Sequence, residues 1–365
     1  MILFPRITIL LVANMIWATL LALVANWKLI TTALPTDSGQ NVICVSSGQS
    51  IQVAINAARA GDKIVVRSGV YPEQLLITKD GISLVGEAGA ILSAPAEHVQ
   101  NTCTAIAGEG TNVGICVAGN GLELAPFISE HQKVIAVGST VKGVSISGFE
   151  VNGFDSNVML VGAESTEVKD NVLLNGKTYG LLADGSIDTL VRGNSIKSRS
   201  ALGGIAICTD NQHGARVLQN DVSGYFVGLC IQTSSSEIAF NHVSDSCAGA
   251  FIDPGVDQAK VHHNIISALS PACLDSQSVK SGLIIYGATN AEVFSNTISG
   301  QHAGGLAAGI VLVDALEISP DLVAAGNRIT NNILFDNDSD IFVNTTSTGT
   351  VIVHNQCATP ATLCS

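Results

Sequence analysis

The sequence returns six times to one phrase: "VKDNVLL", "VRGNSIK", "VLQNDVS", "IAFNHVS", "VHHNIIS" and "VFSNTIS". Each copy sets a β-branched residue, two variable positions, an asparagine, another variable position and then an apolar residue. The asparagines are Asn171, Asn194, Asn220, Asn241, Asn264 and Asn296, and looser copies place Asn327 ("AAGNRIT") and Asn355 ("VIVHNQC") in the series. Through Asn264 the copies stand 21–26 residues apart; beyond it the interval lengthens, as it would where loops are inserted. After each unit comes a short alternating segment opened by glycine, such as "GLLADG", "GIAICTD", "GLCIQT" and "GAFIDP". These read as strands following a tight bend. So short a turn leaves no room for a crossover helix. The chain is therefore predicted to be all-β, a parallel solenoid whose turns pair about 4.8 Å apart.

Winding turns sequence columns into physical ones. Val168, Val191, Val217, Ile238, Val261 and Val293 should pile up inside, as should Leu173, Ile196, Val222, Val243, Ile266 and Ile298. The asparagines then sit at a bend, where their amides can satisfy backbone groups along the stack. His262 and His263 fall in different columns, neither with another imidazole, and neighbours on a strand point to opposite sides. No metal site is expected from them.

Residues 50–92, "SIQVAINAARAGDKIVVRSGVYPEQLLITKDGISLVGEAGAIL", resemble the opening of right-handed parallel β-helix proteins of the pectin-lyase-like superfamily. Ser50 is placed to cap a short helix with Ile51, Ile55 and Ala58 on one face, plugging the open end of the coil. The final "NQCATPATLC" is similar to a disulfide-closed cap. The resemblance implies one right-handed parallel β-helix domain over 42–365, with an N-terminal capping helix. The asparagine turns are similar to those of a wider group that includes periplasmic copper-maturation proteins and polyuronate C5-epimerases. The epimerases' Tyr-Gly and Asp-Pro-His signature is not matched: Tyr179-Gly180 and Asp253-Pro254-Gly255 stand apart, and no histidine follows the proline.

Residues 1–33 carry Arg6 followed by the uncharged run Ile7–Trp27, which predicts a signal peptide or a membrane signal anchor. Nine cysteines fit the oxidising compartment this implies. Cys103 with Cys116, Cys247 with Cys273 and Cys357 with Cys364 are the expected pairs, the second stapling a longer insertion; Cys44, Cys208 and Cys230 have no assignment. The sequons at Asn337 and Asn344 are candidate glycosylation sites on that route. A net charge of −13 argues against nucleic acid as a partner. A monomer acting on a polysaccharide or a small molecule is expected.

On a solenoid, chemistry sits where outward side chains of adjacent turns converge. The richest outward column reads Asp184, Cys208, Gln232, Asp253, Tyr286, with Asp210, His213 and Arg216 in a following loop. His213 beside Asp210 is the best single acid–base candidate, because imidazole titrates near neutrality and a carboxylate can orient it. Asp184, Asp253 and Tyr286 complete the catalytic candidates. Lys169, Arg192 and Arg216 form a basic strip suited to an anionic substrate, with Gln232 as a polar contact. The outward column Leu182, Ala206, Cys230, Phe251, Ile284, Val311 is apolar, so something covers it or it floors a ligand site through Phe251 and Ile284. No cofactor is called for; "FDNDSD" at 335–340 is the one segment dense enough in oxygens to suggest calcium, and reads better as a turn.

Three functions remain open. A lyase or C5-epimerase would act on an acidic polysaccharide by proton abstraction. An isomerase or cyclase would order a small apolar metabolite. A surface or scaffold protein would do no chemistry. An open groove of acids and bases would favour the first, a deep apolar pocket around Phe251 and Ile284 the second.

Overall fold

A computed structural model describes residues 40–127, 130–199, 202–274 and 280–364. The expected leader, residues 1–33, lies outside the described residues. Among those described, no helix is long and apolar enough to cross a membrane.

Three parallel sheets of 14, 10 and 10 strands form the walls of a β-helix, with one antiparallel hairpin, Asn120–Leu124 and Val134–Ser139, added outside. The expected inner columns stack in register: Val168 on Val191 on Val217 on Ile238 in the first sheet, Leu173 on Ile196 on Val222 on Val243 in the second. All of these are buried, so each rung adds apolar surface to one continuous core.

The corner between the first two sheets is an amide ladder. Asn171 Nδ2 donates to Asn194 Oδ1 at 3.1 Å, Asn194 to Asn220 at 3.0 Å, Asn220 to Asn241 at 2.9 Å and Asn241 to Asn264 at 3.0 Å. The same oxygens accept the preceding asparagines' backbone N–H groups. Every residue before a ladder asparagine is left-handed, from Asp170 (φ 54°) to His354 (φ 58°), which turns the chain and leaves amide groups needing partners. Beyond Asn296 the ladder passes to Asn332 and then Asn355, not to the expected Asn327. Ile329 pairs with Val293, so the true unit is Ile329 to Asn332; Asn327 instead braces the 288–291 bend.

The glycines that open the third-sheet strands do not make the expected bend, for Gly228, Gly249 and Gly282 have no positive φ. Their role is close approach. A Cβ on Gly249 would lie 2.3 Å from Ile266 Cγ2, and one on Gly282 2.3 Å from Ile298 Cγ2. A glycine column therefore admits the β-branched column of the second sheet.

Both ends are closed. Helix α1, Ile51–Ala57, is capped by Ser50, and Glu73 accepts from Ile51 N and Gln52 N at its start. Lys79 Nζ donates to the carbonyls of Ile55, Asn56 and Ala58 at its end, so charge complements the dipole at both termini. At the far end Cys357 and Cys364 are joined, and Asp340 accepts from Ala358 N and Thr359 N.

The remaining cysteines add three more links. Cys103 is joined to Cys116 and Cys247 to Cys273, as expected. Cys273 ends a single 3-10 turn, Pro271–Cys273, in the segment between two strands of the coil. Pro271 fixes φ at the start of that turn and brings no N–H to a sheet ladder, which favours a turn there over a strand. The sulfur still reaches the coil, because Cys273 is fully buried with Cys247 and Leu269 in a small cluster outside the main core. A fourth disulfide, not expected, joins Cys208 to Cys230, which pair on adjacent strands. Cys44 is free.

Candidate active site

The third sheet's outer face carries the apolar and the polar column, and its register differs from the expectation at one turn. Leu182 pairs with Cys208, and Asp184 with Asp210. The apolar column thus contains Cys208 rather than Ala206, and the polar column contains Asp210 rather than Cys208. The strand Gly203–Asp210 has eight residues, so aligning its first glycines with Gly180 slips the register by two. A slip of two preserves which face each residue occupies, so the error is invisible to alternation. The true polar column runs Asp184, Asp210, Gln232, Asp253, Tyr286, with the last three each following a paired isoleucine.

Helix α2, Thr102–Ala107, and the 120–139 hairpin cover the first turns of this face. Their Ile106, Val134 and Leu122 pack on Cys116, Met159 and Leu182, which is how the early part of the apolar column is kept from water. The hairpin's loop carries Glu130, His131 and Lys133 over the polar column. Opposite it, Ile318 and Leu322 stand above Pro254, Gly255 and Val256. Between them lies an open cleft of about 440 Å³ floored by Asp210, Gln232 and Asp253.

Each floor carboxyl has a distinct setting. Asp184 is fully buried; its Oδ2 accepts from Val134 N at 2.9 Å and lies 3.5 Å from His131 Nε2. His131 Nδ1 is 3.0 Å from the Tyr179 hydroxyl. Burial, aided by nearby carboxylates, holds the Tyr179 phenol well above its ordinary pKa, so it stays protonated, and its hydroxyl donates to Nδ1 or accepts from it according to the imidazole tautomer. Asp210 is held by Lys133 Nζ at 2.7 and 2.9 Å. Its pKa is raised by burial, against the opposing pull of Lys133. Asp253 has no such cation in contact: burial, assisted by the Asp210 charge and opposed by a Gln232 hydrogen bond, pushes it up to about 7. A carboxyl that exchanges its proton near neutrality thus sits two rungs from one tied to an ammonium.

The other candidates lie elsewhere. His213 is on the first sheet, its side chain 67% exposed and 3.9 Å from Asp188, not beside Asp210. The two are three residues apart across a corner, and the turn sends them to different faces. Lys169 and Arg192 do stack on successive turns, but both bind Glu167, which offsets one of their two charges. Arg216 lines a separate first-sheet hollow with Asp188 and Glu237. Gln232 is in the cleft, while Tyr286, Phe251 and Ile284 continue beyond it. Asn337 is engaged on both sides of its amide, accepting from Gln301 N and donating to Asp340; Asn344 is exposed. In 335–340, Asp338 binds loop amides and His302 rather than forming a calcium-like cage. His262 and His263 converge after all, Nδ1 to Nδ1 at 2.9 Å, because His263 is left-handed and folds its ring back. The Cys247–Cys273 disulfide takes no part in the cleft, whose lining includes neither residue.

Sequence reasoning missed Glu130, His131 and Lys133, which come from an insertion outside the repeat. The available signal was a pair of alternating segments, "GLELA" and "KVIAVG", that fit no column.

Solved structures share the fold. The Dettilon tailspike protein (gp208) aligns with TM-score 0.57 and 15% identity over 89% of this chain and 68% of its own. An alginate lyase from Paenibacillus sp. str. FPU-7 gives 0.55 and 15%, over 83% and 99%. A lidless DFA-IIIase from Arthrobacter chlorophenolicus A6 gives 0.55 and 13%, over 89% and 97%. No curated protein matches the sequence. The asparagine coil that carries the polar column is what a family model, described as periplasmic copper-binding protein (NosD), matches over residues 56–267 and 203–357, and the chain belongs to that family.

Proposed function

We propose that the chain is a glycan-processing β-helix protein whose cleft transfers protons through Asp253. The observation that carries this reading is the unlike pair on the floor: Asp253 near pKa 7, and Asp210 held by Lys133. Environments that separate two carboxyls in this way mark out an acid and a base. Two rungs put their backbones about 10 Å apart. That leaves room for a sugar and a water, as in inverting glycosidases, whose carboxyls stand roughly 6.5–9.5 Å apart. Asp253 would give its proton to the glycosidic oxygen as the bond to carbon breaks. Asp210 would take a proton from the water that attacks that carbon.

The acidic-polysaccharide expectation has less support. Among the described residues lining the cleft the one lysine, Lys133, already holds Asp210, so a uronate carboxylate would have to compete with Asp210 for it. The cations of the expected strip, Lys169 and Arg192, face another sheet and are paired. The apolar-metabolite alternative needs an enclosed pocket at Phe251 and Ile284, whereas Ile284 is only 2% exposed and the cleft, floored by Asp210, Gln232 and Asp253, is open.

Copper, which the family's description names, finds poor donors here. Eight cysteines are in disulfides and Cys44 stands alone. Among the described residues no group of three or more His, Cys, Asp or Glu side chains is arranged to hold a metal. The His262–His263 pair supplies two nitrogens only, so no step is routed through copper. Four disulfides fit an extracytoplasmic compartment, and the leader expected at 1–33 would deliver the chain there, secreted or anchored.

The test is product analysis over a panel of neutral and uronate polysaccharides. New reducing ends without ultraviolet-absorbing unsaturated sugar, lost in Asp253→Asn, support hydrolysis. Unsaturated products would instead restore the lyase, with Asp253 as base. No product from any polymer would refute both.

A further inference from the structure

Past the cleft, the outer face of the third sheet continues as an apolar platform. Phe251 pairs with Ile284, Ile284 with Val311, and Val311 with Phe342, while Tyr286 pairs with Val313 beside them. Phe251, Ile284, Tyr286, Val311 and Val313 belong to a cluster separate from the inner core, and Phe342 stands on the next rung after Val311. The Phe251 and Tyr286 rings meet edge to face with centroids 5.9 Å apart. Phe342 is 49% exposed. On the first turns the equivalent positions, Met159 and Leu182, lie under α2 and the hairpin and are fully buried. On the later turns Ile284 and Val311 are buried as well, at 2% and 6% exposed, while Phe251 and Tyr286 are half-buried and Phe342 is exposed. What continues from the cleft is therefore an aromatic rim, and a rim of exposed rings asks for an occupant.

Three observations bear on which one. The platform is continuous with the cleft, since Tyr286 stands on the rung next to Asp253, about 4.8 Å along the axis. Its columns from Tyr286 and Ile284 onward hold no ionisable group but the Tyr286 phenol, and they end on Asn344, an amide. Its aromatic rings offer flat apolar surface, with a hydroxyl on Tyr286. A pyranose ring has the matching chemistry, an apolar C–H face rimmed by hydroxyls, and aromatic rings are what sugar-sized pockets use to hold such faces.

We propose that this platform is a saccharide-binding subsite that extends the cleft along the solenoid axis. A neutral glycan lies with the bond to be cleaved over Asp253, its next residues stacked on Tyr286 and then Phe342. This rests on the glycan reading of the cleft and adds to it the substrate's charge class, its direction and a minimum length.

Binding of cello-, manno- and xylo-oligosaccharides of two, four and six residues to Asp253→Asn, measured by calorimetry, tests it. Oligogalacturonate of the same lengths serves as the anionic comparison. Affinity for one neutral series is expected to rise from two to six residues. Adding Tyr286→Ala should lower hexasaccharide affinity about tenfold, the scale of one aromatic contact. Tyr286→Phe, which keeps the ring, should retain most of the gain, and Phe342→Ala should weaken the hexasaccharide alone. Equal hexasaccharide affinity in Tyr286→Ala, Phe342→Ala and the parent overturns the subsite while leaving the cleft reading intact. Tighter binding of oligogalacturonate overturns the neutral class. A normal melting curve with no binding by any oligosaccharide removes the subsite and the cleft reading together. A change confined to sedimentation, from dimer to monomer, assigns the platform to a second copy and overturns the proposal.

Discussion

Replacing Asn220 by alanine should cost the solenoid a large part of its stability. The side chain is 1% exposed and makes four hydrogen bonds. Its Oδ1 accepts from Asn194 N and Asn194 Nδ2, both at 3.0 Å. Its Nδ2 donates to Val191 O at 3.0 Å and Asn241 Oδ1 at 2.9 Å. Asn194 Nδ2 keeps two other acceptors, and Asn241 Oδ1 keeps the Asn220 backbone N–H. The Val191 carbonyl loses one donor but stays in the sheet ladder, so the group left without a partner is the Asn194 N–H. A buried backbone group without a partner costs roughly 1–3 kcal/mol, so with the lost side-chain bonds and packing the change comes to about 2–4 kcal/mol. Urea unfolding followed by circular dichroism at neutral pH reads the difference in midpoint at constant slope. His242→Ala, on a side chain 50% exposed, provides the comparison and should stay within about 0.5 kcal/mol. A loss below about 1 kcal/mol for Asn220→Ala would refute the view that the amide ladder holds the corner.

Other outcomes follow from the same geometry. Gly249→Ala should destabilise by about 1–3 kcal/mol through overpacking against Ile266, and Ile266→Ala in the same chain should recover part of it; additive losses in a double-mutant cycle would contradict the contact. Because the folded-state pKa of Asp253 lies above its ordinary value, the folded protein binds the extra proton between about 4 and 7. The stabilisation that proton brings is present at low pH and lost as pH rises through 7. Asp253→Asn should therefore gain on the wild type in denaturant midpoint from pH 4 to 8, and parallel curves would remove the shifted group. Lys133→Met should lower turnover at least tenfold and displace the pH profile upward, since Asp210 loses the cation that favours its ionised form; an unchanged profile would remove Lys133 from the site.

The coil was legible because its signal is repeated: a β-branched residue three places before an asparagine can be aligned against five other copies. Where a copy is stretched the alignment fails, as at Asn327, because the letters around the insertion imitate the unit while the strand pairing belongs to Ile329. The polar column was half legible. Asp184, Gln232, Asp253 and Tyr286 were placed correctly, and Asp210 was displaced by a register slip that period-two alternation cannot detect. His213 was drawn to Asp210 by sequence proximity, though a solenoid corner separates near neighbours and unites residues two dozen apart. His131 and Lys133 were out of reach for a different reason. They hang from an antiparallel insertion whose position over the column depends on tertiary packing of α2 and the hairpin, which no periodicity encodes.

The most direct test of the central claim is a crystal structure of Asp253→Asn soaked with the neutral hexasaccharide it binds best. The account expects sugar density spanning the cleft, with one glycosidic oxygen within hydrogen-bonding reach of residue 253 and a water or sugar carbon facing Asp210. Density on the first sheet beside Arg192 and Arg216, with the cleft empty, would contradict it.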